Sequence, residues 1–204
     1  ADNLIIGNYV GLAADGITAI GNTHDGIHLV GATNNTIGGI TTSARNVIAS
    51  NAIHGIGIDG ASGTKVLGNY IGVAANGSSV RGNLGDGIRL TNSVTGTVIG
   101  GTTTQAANVI ANNLGDGILV NTAAGTAATI LGNSIYANGE QAIDLGADNG
   151  LTYNDVLDAD SGANNLLNFP ELQTATSVGD DVVVTGKMRG AAATTYRVEI
   201  YRSP

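Results

Sequence analysis

The sequence predicts an all-β protein in which short parallel strands wind into a β-helix, a solenoid of about five to six coils that ends in a cap and a β-hairpin. The first observation is a repeated phrase: NYVGLAADGITAIGNTHDGIHL at residues 8–29 returns as NYIGVAANGSSVRGNLGDGIRL at residues 69–90. The second is composition, because 32 of the 204 residues are glycine and only two are proline, which favours many tight turns over disorder. The third is that Ile, Val and Leu alternate with polar residues while no segment keeps a helical period.

A three-residue entry phrase predicts the start of one strand in each coil. Its copies follow one another after 29, 32, 30 and 25 residues, a step that is typical of solenoid repeats. The copies are Asp25-Gly26-Ile27, His54-Gly55-Ile56, Asp86-Gly87-Ile88, Asp116-Gly117-Ile118 and Gln141-Ala142-Ile143. Because side chains alternate along a strand, the residue after each isoleucine should point outward. This predicts an outward row of His28, Gly57, Arg89, Leu119 and Asp144.

A second phrase, an apolar strand that runs into an asparagine, predicts a ladder of stacked amides at one corner of the coils. Such amides hydrogen-bond from each coil to the next and so satisfy polar groups that would otherwise be buried without partners. The predicted rungs are Asn8, Asn51, Asn69, Asn113 and Asn133.

The repeated phrase also contains two corresponding long loops, residues 9–24 and 70–85. They lie in coils that are two apart, so we expect them to project from the same edge of the stack, separated by roughly 10 Å.

Taken in order, these phrases resemble the right-handed parallel β-helix repeat proteins of pectate-lyase-like solenoid architecture, and specifically their bacterial secreted or surface group. A further matched pair, TIGGITTSARNVIASN at 36–51 and VIGGTTTQAANVIANN at 98–113, belongs to the same resemblance, which covers about residues 3 to 172. It implies a right-handed single-stranded parallel β-helix and a secreted or cell-surface location. It implies no single activity, because the architecture includes pectate lyases, polygalacturonases, epimerases, phage tailspikes and surface proteins.

The end of the chain departs from the repeat. Residues 1–146 are interpreted as the coils and residues 147–172, which are acidic and rich in turns, as a segment that leaves and caps them. Residues 173–204 contain two segments of period two, DDVVVTGKMRG and TTYRVEIYRSP, which predict a β-hairpin and the start of an incomplete C-terminal β module.

Composition limits the partners. The net charge is −8 and no basic run occurs, which argues against nucleic acid. No apolar run is long enough to predict membrane insertion. The chain has no cysteine, which excludes disulfides and thiolate metal sites.

Three groups of residues are candidate sites. Asp155, Asp158 and Asp160 offer closely spaced carboxylates of the kind that calcium prefers, although the bidentate glutamate of an EF-hand loop is absent and a solvated turn is the alternative. Tyr9 and Tyr70 occupy matched outward positions beside the predicted ladder and are candidates for stacking on sugar rings. His28, Arg89 and Asp144 on the outward row have the residue types of a polysaccharide lyase but not their density, and a purely structural role is the alternative.

Two functions remain open at this point. The favoured one is an extracellular structural or adhesive protein without enzymatic activity, which self-associates by strand pairing or end-to-end stacking and so forms filaments. The alternative is a carbohydrate-active β-helix that binds or cleaves an acidic polysaccharide, with calcium offsetting the negative charge of the protein.

Overall fold

The computed structural model describes residues 1–146 and 150–201, and its first fifteen strands, numbered in chain order, form three parallel sheets of five strands each. The first sheet contains β1 (Leu4–Ile5), β4 (Thr36–Gly38), β7 (Lys65–Leu67), β10 (Thr95–Gly100) and β13 (Ala127–Leu131). The second contains β2 (Tyr9–Val10), β5 (Val47–Ile48), β8 (Tyr70–Ile71), β11 (Val109–Ala111) and β14 (Ser134–Tyr136). The third contains β3 (Ile27–Val30), β6 (Ile56–Asp59), β9 (Ile88–Thr91), β12 (Ile118–Asn121) and β15 (Ile143–Gly146).

The strand order shows how the chain winds. Three consecutive strands, one in each sheet, make what we call a coil, and each strand pairs in parallel with the strand three positions later. A chain that returns to the same sheet after every third strand is a solenoid. The prediction of an all-β chain with stacked parallel strands is therefore confirmed at this level.

The core lies inside the stack and consists of columns of like residues. Ile37, Ile48 and Ile56, for example, come from the three sheets of one coil and are fully buried. Each such side chain contributes about 1.5–3 kcal/mol through burial. In the third sheet the column is Ile27, Ile56, Ile88, Ile118 and Ile143, the isoleucines of the predicted entry phrases.

The two long loops do not project. Each folds into a minimal hairpin closed by an antiparallel bridge, Leu12 to Ala19 in the first and Val73 to Val80 in the second. Leu12 and Ala74 from these hairpins bury Val47 on the outer face of the second sheet. Burial of this apolar surface explains why the loops lie against the sheet rather than in solvent.

The two hairpins also contact each other across the intervening coil. The Ala75 amide donates to the carbonyl oxygen of Gly16 at 3.0 Å, and Arg81 Nε donates to the carbonyl oxygen of Ile17 at 2.6 Å. The short connection of the intervening coil, residues 49–55, leaves space for this contact.

The C-terminal part covers one end of the stack. Asn164, in a short 3₁₀ segment (Ala163–Leu166), accepts a hydrogen bond from the Ala128 amide and donates one to the Ala128 carbonyl oxygen. Two further 3₁₀ segments, Thr42–Ala44 and Thr122–Ala124, lie within the stack. Residues 147–149 of the predicted exit segment lie outside the described residues.

The C-terminal hairpin differs from the predicted one. Strand β17 (Asp181–Lys187) pairs antiparallel with β16 (Glu171–Val178), whereas residues 188–201 contain no strand. A short connection containing Gly179, at a φ of 62°, joins β16 directly to β17, so the nearest alternating segment is the partner. Residues 202–204 of the predicted module lie outside the described part of the chain.

No helix in the described ranges has the length and apolar character needed to cross a membrane.

Candidate functional site

Asparagine side chains form two ladders, one at each edge of the second sheet, and not the single ladder that the sequence suggested. The first consists of Asn8, Asn46, Asn69, Asn108 and Asn133. The second consists of Asn22, Asn51, Asn83, Asn113 and Asn138. The five predicted rungs are thus divided, with Asn8, Asn69 and Asn133 in the first ladder and Asn51 and Asn113 in the second.

Every rung is bonded in the same way. In each pair the backbone N–H and Nδ2 of one asparagine both donate to Oδ1 of the asparagine in the next coil, as Asn69 does to Asn108 at 2.9 and 3.1 Å. The second Nδ2 proton of Asn69 reaches the Ile37 carbonyl oxygen at 2.9 Å. Because their polar atoms are hydrogen-bonded, these buried amides stabilise the fold, at about 0.5–1.5 kcal/mol for each hydrogen bond.

The rungs that sequence reasoning missed have a recognisable signal. Asn22, Asn83 and Asn138 each lie three residues before the entry residue of their coil, as do Asn51 and Asn113. Asn46 and Asn108 each lie two residues before an inward-pointing isoleucine of the second sheet.

The entry residues form a third polar column. The His54 N–H donates to Asp25 at 3.0 Å, the Asp116 N–H to Asp86 at 3.0 Å, and the Gln141 N–H to Asp116 at 2.7 Å. The Asp86 N–H lies 3.0 Å from Nδ1 of His54, which accepts it when the ring proton is on Nε2. The Asp-Gly phrases therefore have a structural role as hydrogen-bond acceptors along the stack.

The outward row of the third sheet has the predicted register. His28 pairs with Gly57, Gly57 with Arg89, Arg89 with Leu119, and Leu119 with Asp144. Asp144 is buried and lies beyond Leu119, so it is separated from the other two candidate catalytic residues. His28 and Arg89 lie two strands apart on the same face.

Together with three entry side chains, His28 and Arg89 form what we call the polar cluster: Asp25, His28, His54, Asp86 and Arg89. Nδ1 of His28 lies 3.5 Å from Oδ2 of Asp25, and half of the His28 side chain is exposed. A carboxylate in this position orients the ring. The exposed imidazole is suited to accept a proton from a bound molecule.

On the other side of the polar cluster, Arg89 contacts His54. Nη1 of Arg89 lies 3.2 Å from Nε2 of His54, and Nδ1 of His54 lies 3.2 Å from Oδ2 of Asp86. Arginine only donates, so this arrangement requires the His54 proton on Nδ1. The alternative tautomer, with the proton on Nε2, instead lets Nδ1 accept the Asp86 amide proton.

Gly57 separates the two halves of the polar cluster. A Cβ atom at this position would lie 2.5 Å from Oδ2 of Asp25, closer than van der Waals contact allows. The absence of a side chain at Gly57 thus gives the Asp25 carboxylate its place beside His28.

Further along the entry column, burial raises the pKa of Asp116 from 3.8 to about 6. The neighbouring carboxylates of Asp144, Asp86 and Glu140 raise it too, whereas the hydrogen bond from the Gln141 amide opposes the shift. Asp116 therefore changes its charge near pH 6 in the folded protein.

The two candidate sugar-stacking tyrosines lie in one column of the second sheet, with Val47 between them. The Arg45 guanidinium lies 3.9 Å from the centre of the Tyr70 ring, and Gly77 of the second hairpin packs against the same ring. Tyr9 is 46% exposed. Stacking on a sugar stays a prediction, for which Tyr9 is the more accessible of the two rings.

The three candidate calcium ligands come together in the described structure. Asp155, Asp158 and Asp160 each place a carboxylate oxygen within 4.8 Å of the others. Two of them also accept protein N–H groups, Asp155 from Ala159 at 2.9 Å and Asp158 from Asn168 at 2.7 Å. These bonds are those of a carboxylate-stabilised turn, and calcium binding stays a prediction.

Comparisons with known proteins found no match: no family model, no curated protein and no solved structure matched the chain.

Proposed function

We propose that the protein is a structural β-helix of a secreted or cell-surface protein and that it self-associates through the ends of its stack. The observation that carries the proposal is that three polar columns and the apolar core run along the whole stack and end at unpaired strand edges. The proposal includes right-handed winding of the pectate-lyase-like type, which the strong right-handed preference of parallel crossovers supports.

The first coil is suited to such association. Strands β1, β2 and β3 are each paired on one side only. Ile5, Val10 and Ile27, which belong to core columns, are only partly buried there. An edge of this kind accepts a further strand, and burial of its apolar residues provides the driving force.

Sedimentation velocity and electron microscopy over a range of concentrations test this proposal. We expect association that rises with concentration and rods that lengthen by at least about 24 Å per copy, since each sheet contributes five strands at ~4.8 Å. Ile5→Lys should weaken association, because it places a charge in the contact.

Ile17→Lys is the matched control, since Ile17 lies in a hairpin and is already 43% exposed. Monomers at every concentration, or equal effects of the two variants, would contradict the proposal.

A second candidate function is cleavage of an acidic polysaccharide, and the position of His28 and Arg89 on one face, on either side of Gly57, favours it. In this reaction His28 removes the proton α to a uronate carboxylate, and Arg89 holds that carboxylate. The C–O bond to the neighbouring sugar breaks as a carbon–carbon double bond forms, and the departing sugar oxygen takes a proton from solvent water. The products absorb ultraviolet light.

An absorbance assay over several uronate polymers, with and without calcium, tests this candidate. We expect activity that His28→Ala and Arg89→Ala abolish and that His24→Ala retains, since His24 is exposed and lies outside the polar cluster. A flat signal from the unmodified protein would exclude this lyase chemistry for the polymers used.

A further inference from the structure

We propose that Asn76, at the tip of the second hairpin, is a site of spontaneous deamidation, and that the fold exposes Asn76 to this reaction with water while it protects Asn138. Both asparagines precede a glycine. The inference goes beyond both candidate functions and does not depend on either. It is carried by the hydrogen bonds of Asn76, by those of Asn138, and by Asp15, which occupies the matched position of the first hairpin.

Deamidation requires that the backbone nitrogen after an asparagine reaches the side chain. The deprotonated nitrogen bonds to Cγ, the bond from Cγ to Nδ2 breaks, and ammonia leaves with a proton from water. Water then opens the cyclic imide at either of its two carbonyl carbons, which gives aspartate or isoaspartate. Glycine hinders the approach least, because it has no Cβ. The asparagines that precede a glycine are Asn76, Asn138 and Asn149, of which Asn149 lies outside the described residues.

The Asn76 side chain is exposed and its carbonyl group is already polarised. Oδ1 accepts the amide protons of Ser78 and Ser79 at 3.1 and 2.9 Å. Attack by the Gly77 nitrogen turns this oxygen into an oxyanion, and two amide protons directed at it stabilise the new charge. Nδ2 donates to Ser79 Oγ at 2.8 Å on the exposed side of the hairpin, so the ammonia formed there leaves directly into solvent.

One backbone bond of the hairpin tip opposes the attack. The Gly77 amide donates to the Ala74 carbonyl oxygen at 2.9 Å, and this bond must break before the nitrogen can react. Fraying of the tip breaks it while the bridge between Val73 and Val80 and all three sheets stay closed. Local openings of an exposed turn require far less free energy than global unfolding. The reaction at Asn76 therefore proceeds from the folded protein.

Asn138 is protected because it is a rung of the second ladder. Its Oδ1 accepts both the backbone N–H and Nδ2 of Asn113, at 3.1 and 3.0 Å, and its Nδ2 donates to the Ile110 carbonyl oxygen at 3.1 Å. The Gly139 amide donates to the Asn113 carbonyl oxygen at 2.8 Å, and a Cβ atom at Gly139 would overlap the Leu114 carbonyl oxygen. The nitrogen can reach Cγ only if this corner separates from the preceding coil.

The first hairpin shows that the fold accommodates the aspartate product. Oδ1 of Asp15 accepts the amide protons of Ile17 and Thr18 at 2.9 and 2.8 Å, and Oδ2 bonds to the Thr18 hydroxyl at 2.6 Å. Asn76 makes the same bonds with the residues two and three positions later. A carboxylate at residue 76 reverses only the direction of the bond with the Ser79 hydroxyl, so the aspartate form keeps the hairpin.

The isoaspartate product should loosen the hairpin, because it inserts the side-chain methylene into the main chain between residues 76 and 77. Gly77 then moves from its place against the Tyr70 ring. The Ala75 amide, which donates to the Gly16 carbonyl oxygen and so links the two hairpins, lies next to the inserted group. Deamidation therefore gives one product that keeps the contact between the hairpins and one that loses it.

Incubation of the folded chain at pH 8, followed by peptide mapping with mass spectrometry, tests the site. We expect chains modified at Asn76 to change their net charge from −8 to −9. The rate at Asn76 should be at least about tenfold higher than at Asn138, as the additional hydrogen bonds that must break at Asn138 imply. In urea that unfolds the chain the two rates should become similar. Asn76→Ser is the matched control, since serine keeps an oxygen acceptor in the turn and forms no imide.

Hydrogen exchange at the Ala75 amide tests the two products after their separation by ion exchange. The aspartate form and an Asn76→Asp chain should protect this amide as well as the unmodified protein does, whereas the isoaspartate form should lose the protection. Equal rates at Asn76 and Asn138 in the folded chain, or reaction at Asn76 only in urea, would overturn the proposal. Loss of Ala75 protection in the Asn76→Asp chain would overturn the equivalence with Asp15.

Discussion

Asp116→Asn should stabilise the protein at about pH 8 and have little effect near pH 4. The Asp116 side chain is only 1% exposed, and burial together with nearby carboxylates raises its pKa from 3.8 to about 6. A group whose pKa is raised on folding favours the folded state while it is protonated, and this stability is lost as the pH rises through the folded pKa. Above about pH 6 the folded protein therefore contains a buried charge that the unfolded chain solvates.

The magnitude follows from the shift of about two units at 1.36 kcal/mol per unit, which gives a cost of about 3 kcal/mol at pH 8. Asparagine removes the charge and keeps an oxygen that can accept the Gln141 amide proton. We therefore expect the free energy of unfolding in urea to rise by about 1–3 kcal/mol at pH 8, with the gain vanishing toward pH 4.

Asp15→Asn is the control of opposite sign. Hydrogen bonds from Thr18 and Ile17 lower the pKa of this exposed carboxyl from 3.8 to about 2, so its contribution is present above pH 3.8 and lost as the pH falls toward 2. Its substitution should bring no gain at pH 8. An Asp116→Asn protein that is less stable at pH 8, or that gains equally at both pH values, would refute the reasoning.

Three further predictions concern stability. Thr64→Asn should raise the free energy of unfolding in urea by about 1 kcal/mol. The new side chain offers an acceptor to Asn35 Nδ2, which is buried without a hydrogen-bond partner in the described structure. A gain no larger than that of Thr64→Val would contradict this. Asn69→Ala should lower the free energy of unfolding by about 2–4 kcal/mol, and Asn8→Ala by less than about 1 kcal/mol. The reason is that Asn69 is a fully buried middle rung, whereas Asn8 is an exposed first rung. Equal losses would show that the ladder does not stabilise the protein through burial. Millimolar calcium should raise the melting temperature of the protein and not that of Asp160→Asn if Asp155, Asp158 and Asp160 bind the ion, and an unchanged melting temperature would remove the site.

The entry phrases could be located from the sequence because their surroundings hardly vary. In every coil the entry residue is followed by a small residue and an isoleucine, and strands of one length begin there. The register of the row from His28 to Asp144 follows from side-chain alternation alone. The starts and register of these strands can therefore be predicted without knowing the structure of the loops between them.

The sequence predicts one asparagine ladder where the structure has two, because the loops vary in length. Only two residues separate Asn51 from the next entry residue, whereas 16 separate Asn8 from its own. A prediction with one asparagine per coil therefore combines rungs from both edges of the second sheet. The polar cluster also escaped prediction as a unit, because the contact of His54 with Arg89 depends on how far a long side chain bends toward a neighbouring coil.

The C-terminal hairpin shows a different limit of sequence reasoning. Residues 171–178 and 194–201 both flank β17 and both could form a strand with it. The turn at Gly179 brings the first segment next to β17, while the second contacts the last coil through Glu199. Tertiary contacts decide between two segments whose local patterns are alike.

The two hairpins on the second sheet give the rod unequal sides. Through Ala75 and Arg81 they link coils that are not neighbours, so any opening of the stack on that side must break these bonds as well as those of the sheet. Among the described residues, no comparable hydrogen bonds between non-neighbouring coils lie on the third sheet. A pulling or bending force should therefore separate neighbouring coils first on the side of the polar cluster. The rod should then curve with its hairpin side on the inside of the bend.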